Sequence, residues 1–211
     1  MDLVEPPIER RAIGRREKRK QEIRTRIEEA AYALFKRQGI EDTNIEQICV
    51  EADVARRTFY GHYPNKHALL GGLGISRLYN QSEPMLRMLM ENHQSTRARL
   101  TAMIDYIEEN YSGYADIDRQ LILMAPSTFV NNTEQQREIG NTAIESFKQL
   151  FVAGQEMGDT HRQFSPEILA TMVVGTLNTL TTSWAIDSDY PIFDKLEEAR
   201  ALFEHLICKD S

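Results

Sequence analysis

Apolar residues recur at intervals of three and four from about residue 20 to the end of the chain, and no strand-like alternation persists anywhere. Ile23, Ile27, Ala31, Leu34 and Phe35 line one stripe of a first predicted helix. Gly39 stops it, with Ile40 placed to pack back as a Schellman cap requires. A second helix is expected to open at Thr43, where Thr43-Asn44-Ile45-Glu46 has capping-box spacing, and to bury Ile45, Ile48 and Cys49. After a tight turn at 52–55, a short third helix runs to Tyr63, ahead of Pro64. Asn65 then caps a fourth helix carrying Leu69, Leu70, Leu73 and Leu78.

The pattern continues in helical period. Ser95 caps a helix with Leu100, Met103, Ile104, Ile107 and Tyr111 on one face. A shorter apolar helix from Asp116 is expected to break near Pro126, and a long one spans about 132–157. Ser165-Pro166 reads as an N-cap with proline in the first turn, opening a helix to about residue 186. Leu196, Ala199, Leu202, Phe203 and Leu206 form a last amphipathic stripe. The expected fold class is all-α: a small N-terminal bundle (20–67) preceded by a basic arm expected to be disordered (1–19), and a larger helical domain (68–211).

Charge sharpens that division. The chain of 211 residues carries −7 overall, but residues 1–67 carry a net +2 and residues 68–211 a net −9. From Arg10 to Arg26 nine basic residues stand against Glu17 and Glu22. An acidic body with a basic end suits contact with a polyanion through that end only. Two cysteines without a CxxC pair argue against a disulfide scaffold or a structural zinc site. The N-terminus lacks the apolar run of a secretory signal, so a cytoplasmic chain is expected. Residues 168–186 are uncharged, but seven of them are Thr, Ser or Asn, so a buried helix at a protein–protein surface is expected rather than a membrane span. No HExxH, GxSxG, phosphate-loop or di-metal pattern occurs, so no catalytic machinery, metal site or cofactor is expected.

Helix, four-residue turn and short helix within 43–63 is helix-turn-helix spacing, in which the second helix must protrude into a major groove while its back anchors to the bundle. Val54, Phe59 and Tyr63 fall on the side that can be core; Arg56, Arg57, Thr58, Tyr60 and His62 are left outward. The run ADVARRTFYGHYPNKHALL, residues 52–70, resembles the signature of the tetracycline-repressor (TetR) family at Ala52, Val54, Thr58, Phe59, Tyr60, His62, Tyr63, Lys66, Leu69 and Leu70. Ile27, Ala30, Ala31, Leu34, Phe35, Gly39, Thr43, Ile45 and Ile48 are similar to that family's first two helices. The resemblance covers about residues 20–70; beyond them only length and helical character agree.

Three positions depart from the family pattern. Asp53 stands where glycine is usual, at a site expected to need positive φ, which Asp tolerates better than most residues. Ala55 replaces a serine that can cap the helix or reach phosphate, and Arg57 replaces a small residue. The resemblance implies that Thr43 and Asn44 bind phosphate at the second helix's N-terminus, joined by Tyr60, His62 and Lys66. Arg56 and Arg57 are the expected readers of guanine O6/N7, with Thr58 on a base edge or thymine methyl, and the Arg10–Arg26 arm tracks phosphates or enters the minor groove.

For the rest of the chain the resemblance implies a homodimer through helices near 166–186 and 192–208, a palindromic double-stranded DNA operator, and release by a small-molecule effector. Candidate effector contacts are Met103, Tyr106, Tyr111, Met124, Phe129, Phe147 and Trp184, although aromatic and methionine stripes at helical spacing are ordinary core. Asp105 and Glu108 would favour a cationic effector. Gly71, Gly72 and Gly74 weaken the fourth helix, either to transmit effector binding or to permit close packing. The competing expectation is an all-α dimeric carrier or enzyme whose N-terminal helices do not read DNA.

Overall fold

The computed structural model describes the backbone of residues 7–79, 82–130 and 134–209, with side chains described except at 7–13, 77–79, 82, 83, 126–130 and 134–143. The chain divides into two compact units, residues 1–69 (the head) and 70–211 (the body), the boundary falling within a helix. Among the described residues every regular element is helical, and extended pairing is confined to one bridge between Thr160 and Cys208.

The head is built from α1 (Pro7–Gln38), α2 (Ile45–Glu51), α3 (Arg56–His62) and the start of α4 (Lys66–Tyr79). Its core is the predicted stripe, with Ile27, Ala31, Leu34 and Phe35 of α1 closing on Ile48, Phe59 and Leu69. Burying a side chain of this size contributes about 1.5–3 kcal/mol, and here several do so in about fifty residues. Gly39 ends α1 with φ +85°, the left-handed geometry the cap required, and its N–H donates to the Phe35 carbonyl at 2.9 Å. α1 begins at Pro7 and not near residue 20. Residues 7–19, expected as a disordered arm, continue the helix, for a run rich in Arg with Glu and Lys costs little to extend.

α2 starts one residue later than its sequence suggested. Both Thr43 and Asn44 have a Glu or Gln three positions on, so spacing alone does not choose between them. Burial does. The Thr43 side chain is only 1% exposed and its hydroxyl donates to the Gly39 carbonyl at 2.7 Å. Asn44 is left as the cap: its Oδ1 accepts from the Gln47 N–H at 2.9 Å and its own N–H donates to Gln47 Oε1 at 2.8 Å.

The body comprises the rest of α4 with α5 (Ser82–Asn92), α6 (Thr96–Ser112), α7 (Asp116–Val130), α8 (Glu134–Met157), α9 (Pro166–Ile186) and α10 (Ile192–Ile207). Leu100, Met103, Ile104, Leu150, Phe151, Val173 and Phe203 are at its centre and reach no solvent. α7 runs through Pro126, where a break was expected; Leu121, Ile122 and Ala125 are buried immediately before it, and that packing outweighs the lost backbone bond. A β-carbon added at Gly74 would lie 2.1 Å from the Leu121 carbonyl oxygen, so α4 and α7 cross backbone against backbone there. Ser165 caps α9 with Pro166 in the first turn, as the sequence predicted. Among the described residues no helix is long and apolar enough to cross a membrane.

Candidate nucleic-acid interface

The head presents α3 on a rigid mount. Phe59 is fully buried and Tyr63 nearly so, and both lie on the α3 face turned into the bundle. The Tyr63 hydroxyl donates to Glu28 Oε1 of α1, which also accepts from Arg24 Nε at 2.9 Å. Burial and the neighbouring Glu28 carboxylate push the Tyr63 phenol far above its usual range, so it remains a hydrogen-bond donor at any working pH. The turn is clamped from α1 as well: Arg26 Nη2 donates to the carbonyls of Ala52 and Asp53, each at 2.6 Å. Those carbonyls close the C-terminal end of α2, where a cation is electrostatically favoured. Asp53 adopts φ +50°, bearing out the expectation for the position where the family usually carries glycine.

On this mount the outward positions of α3 carry the predicted chemistry. Arg56, Arg57 and Tyr60 are exposed, and Thr58 and His62 are half-buried. Arg56 Nη1 is 2.8 Å from Glu46 Oε1 of α2, and the Arg56 guanidinium is also hydrogen-bonded to the Tyr60 side chain. The Tyr60 ring meets Phe59 edge-on with centroids 5.6 Å apart, so part of it packs while the hydroxyl end stays out. Ala55 is the N-cap residue of α3 and makes no side-chain cap, as the loss of a serine hydroxyl predicts. Asn44 is exposed at the start of α2. His62 is held below its ordinary pKa, first by burial and then by Lys20 and Arg24, which keeps its imidazole neutral.

Three expectations need correcting. Thr43 does not offer its hydroxyl to phosphate, because that hydroxyl is buried and donating inward. Lys66 is half-buried with its ammonium donating to the Ile40 carbonyl, so it is tethered and not a free point charge. Arg24 and Arg26, counted in the basic run, are spent on holding the head together. Sequence reasoning missed Glu46 as a partner of Arg56. The signal was an acid in the first turn of the helix preceding two arginines, on a surface where every other expected contact is basic or neutral.

In the body, Met103 and Phe147 are packed within the apolar core, Tyr106 is packed against it, and Met124 is half-buried. Tyr111 donates to Thr181 Oγ1 at 2.6 Å and meets Trp184 edge-on at 4.8 Å, and Arg119 lies 4.1 Å over the Trp184 ring. The Phe129 side chain lies outside the described residues. Asp105 and Glu108 do not stand ready for a cation, for Arg200 is 2.6 Å and 3.9 Å from their carboxylates.

The chain is thus all-α among its described residues, with a helix-turn-helix in the N-terminal unit and a second helical unit following it in sequence. Residues 27–73 match the family model for bacterial regulatory proteins of the tetR family. The HTH-type transcriptional repressor DhaR of Mycobacterium sp. strain GP1 is 23% identical over 156 residues, covering 73% of this chain and 78% of that one. A TetR-family regulator from Pectobacterium atrosepticum shares the fold with a TM-score of 0.66 at 17% identity, over 92% of this chain and 98% of that one. The Thermus thermophilus repressor FadR, solved with lauroyl-CoA, does so with a TM-score of 0.64 at 22% identity, over 89% and 97%. Over its head the chain is thus similar to the TetR family of regulators, and over its length it shares their fold.

Proposed function

We propose that the protein is a cytoplasmic, effector-released repressor that binds a palindromic operator as a homodimer. The observation that carries the DNA reading is α3 itself: a helix anchored by fully buried Phe59 turns Arg56, Arg57, Thr58 and Tyr60 outward, the donor set that meets base edges in a major groove. Asn44, the N-cap region at Ala55, His62 and Lys66 flank it as backbone contacts, and residues 20–67 form the reading domain. Arg57 is the cation best placed to act without rearrangement, since it is exposed and forms no ion pair among the described residues.

Dimerisation is supported by the exposed face of α9. Ile168 and Ile186 are 58% and 71% exposed at the two ends of α9, with Thr171, Gly175 and Thr179 exposed between them and no charge along 168–186. Phe193 and Leu202 are exposed on α10. A face this apolar is suited to a second copy, which would present two α3 helices to two half-sites. Repression and effector release are inferred from relatives named as repressors and from the FadR structure that holds an acyl-CoA. Within the body the effector contacts proposed are Met103, Tyr106, Tyr111, Met124, Phe129, Phe147 and Trp184 of residues 68–211.

Binding to random duplex DNA across a salt series tests the reading. Affinity is expected to fall linearly on a logarithmic scale, by about 0.9 per phosphate neutralised. Arg57→Ala should cost about 1–3 kcal/mol on a selected operator and relax its preference at one base position. A chain that binds no duplex at low salt is a carrier or enzyme, and the proposal fails.

A further inference from the structure

Glu46 is an acid where the proposed interface should repel one. It is in the first turn of α2, half-exposed, with Oε1 2.8 Å from Arg56 Nη1. The pair forms one wall of an open groove of about 550 Å³ between α2, the turn and the start of α3, whose other walls are Cys49, Val50, Asp53, Val54 and Ala55. An acid in the first turn of α2 suits the helix dipole, but a surface ion pair adds little to stability, so the fold accounts for the acid and not for its pairing with Arg56. The two arginines beside each other are therefore not equivalent: Arg56 is neutralised by an adjacent carboxylate and fixed at a second point by Tyr60, whereas Arg57 is unpaired among the described residues.

A carboxylate this close changes what Arg56 can meet. A phosphate oxygen approaching the guanidinium also approaches Glu46, and like charges repel. The O6 and N7 acceptors of guanine are neutral and carry no such penalty, and a cytosine N4–H₂ group can donate to Glu46 itself. A neutralised arginine also releases no counterion, so it adds nothing to binding that ignores sequence. Held at two points, it loses less side-chain freedom on docking than a free one.

We infer that Glu46 is a specificity-determining positioning residue, which holds Arg56 for a base edge and denies it to the phosphate backbone. The inference rests on the DNA-binding reading above. It assigns the two arginines different thermodynamic roles: Arg56 discriminates, and Arg57 contributes to discrimination and to general affinity alike.

The test uses the full-length chain with two duplexes of equal length, one carrying an operator selected from a random library and one scrambled. Glu46→Ala should raise affinity for the scrambled duplex and reduce the operator-to-scrambled ratio about tenfold. It should also steepen the scrambled-duplex salt dependence by about one unit of slope, as a freed cation reaches phosphate. Arg56→Ala made in the Glu46→Ala background, which removes the neutral pair whole, should return that slope to its wild-type value, about one unit below the Glu46→Ala variant. Glu46→Gln, which keeps an acceptor without the charge, should steepen the slope while retaining part of the ratio. Circular dichroism melts of the variants should match wild type, since both side chains are surface-exposed. If Glu46→Ala changes neither ratio nor slope, or adding Arg56→Ala to it leaves the steepened slope in place, the inference is wrong while the DNA reading stands. If wild type shows no salt-dependent duplex binding, both fall.

Discussion

The head and the body bury helix faces with different side chains. In the head, a small apolar core is supplemented by polar groups reaching between elements: Arg26 to the turn carbonyls, Tyr63 to Glu28, Lys66 to Ile40. The body has a large apolar core bordered by polar contacts, two groups of which join distant parts of its sequence. One is the α6–α10 seam, where Arg97 meets Glu204 at 2.8 Å and Arg200 meets Asp105. The other is a buried knot in which Thr96 N–H and Oγ1 donate to the Asp159 carboxylate. A polar group that must be satisfied restricts which residue fits, whereas an apolar core accepts many side chains of suitable size. The head is therefore the more specific record of what the molecule does.

The largest expected effect separates the two units. Phe59→Ala removes a fully buried ring from the small head and should cost about 3–5 kcal/mol there. Trp184, the only tryptophan, is in the body. Far-UV dichroism should lose the head at low denaturant while the Trp184 fluorescence midpoint stays where it is in wild type. Thiol labelling gives a second reading, because Cys49 is buried in the head and Cys208 in the body. Burial holds both thiols above their ordinary pKa, that of Cys208 at about 11, so wild type should label slowly at both. The variant should expose Cys49 alone. Coincident loss of all three signals would mean that the units unfold as one, and the comparison would not hold.

The same contrast explains what could be read before any coordinates. Gly39, Asp53, Asn65 and Ser165-Pro166 announce particular backbone geometries, and each is found where it was expected. The outward set on α3 was legible because Phe59 and Tyr63 fix which face is inward. Thr43 was misread because its hydroxyl and the Asn44 amide are both competent caps, and only the inward pull of the Gly39 carbonyl decides between them. The Glu46–Arg56 pair joins residues ten apart across a turn, a distance no helical period connects. In the body, Met103 and Phe147 illustrate the deeper limit: a side chain facing an effector and one facing a neighbouring helix satisfy the same apolar pattern.

Gly74→Ala moves the contrast to the other unit. Its new methyl would meet the Leu121 carbonyl oxygen at 2.1 Å and the Ala125 nitrogen at 3.1 Å, and both are backbone atoms that no rotamer change can move aside. Overpacking of this kind costs about 1–3 kcal/mol. The Trp184 midpoint should fall while salt-dependent binding to random duplex at low denaturant persists. Unchanged body stability would mean that the crossing relaxes freely, and the reading of Gly74 as a close-packing residue would be lost.

The smallest effect distinguishes the units by sign. The His62 imidazole in the head has a folded pKa below its ordinary 6.5, chiefly through burial, with Lys20 and Arg24 adding repulsion and Glu28 opposing them. The unfolded chain therefore takes up the proton first, so the stability that neutral His62 contributes is complete above pH 6.5 and is lost as pH falls through the folded value. In the body, burial and the neighbouring Glu197 and Asp105 raise the Glu108 pKa above 4.5, against the pull of Arg200. There the folded chain holds its proton longer, so the stability Glu108 contributes is complete below pH 4.5 and is lost as pH rises through the folded value. Acidification below pH 6.5 should accordingly lower the head's denaturant midpoint through His62, while Glu108 pushes the Trp184 midpoint upward at the acid end. His62→Gln should flatten the first trend without touching the second, and Glu108→Gln the reverse. Titrating both midpoints in wild type and in each variant resolves this, and a head midpoint indifferent to His62→Gln between pH 5 and 8 would show that the imidazole is solvated and not held neutral by α1.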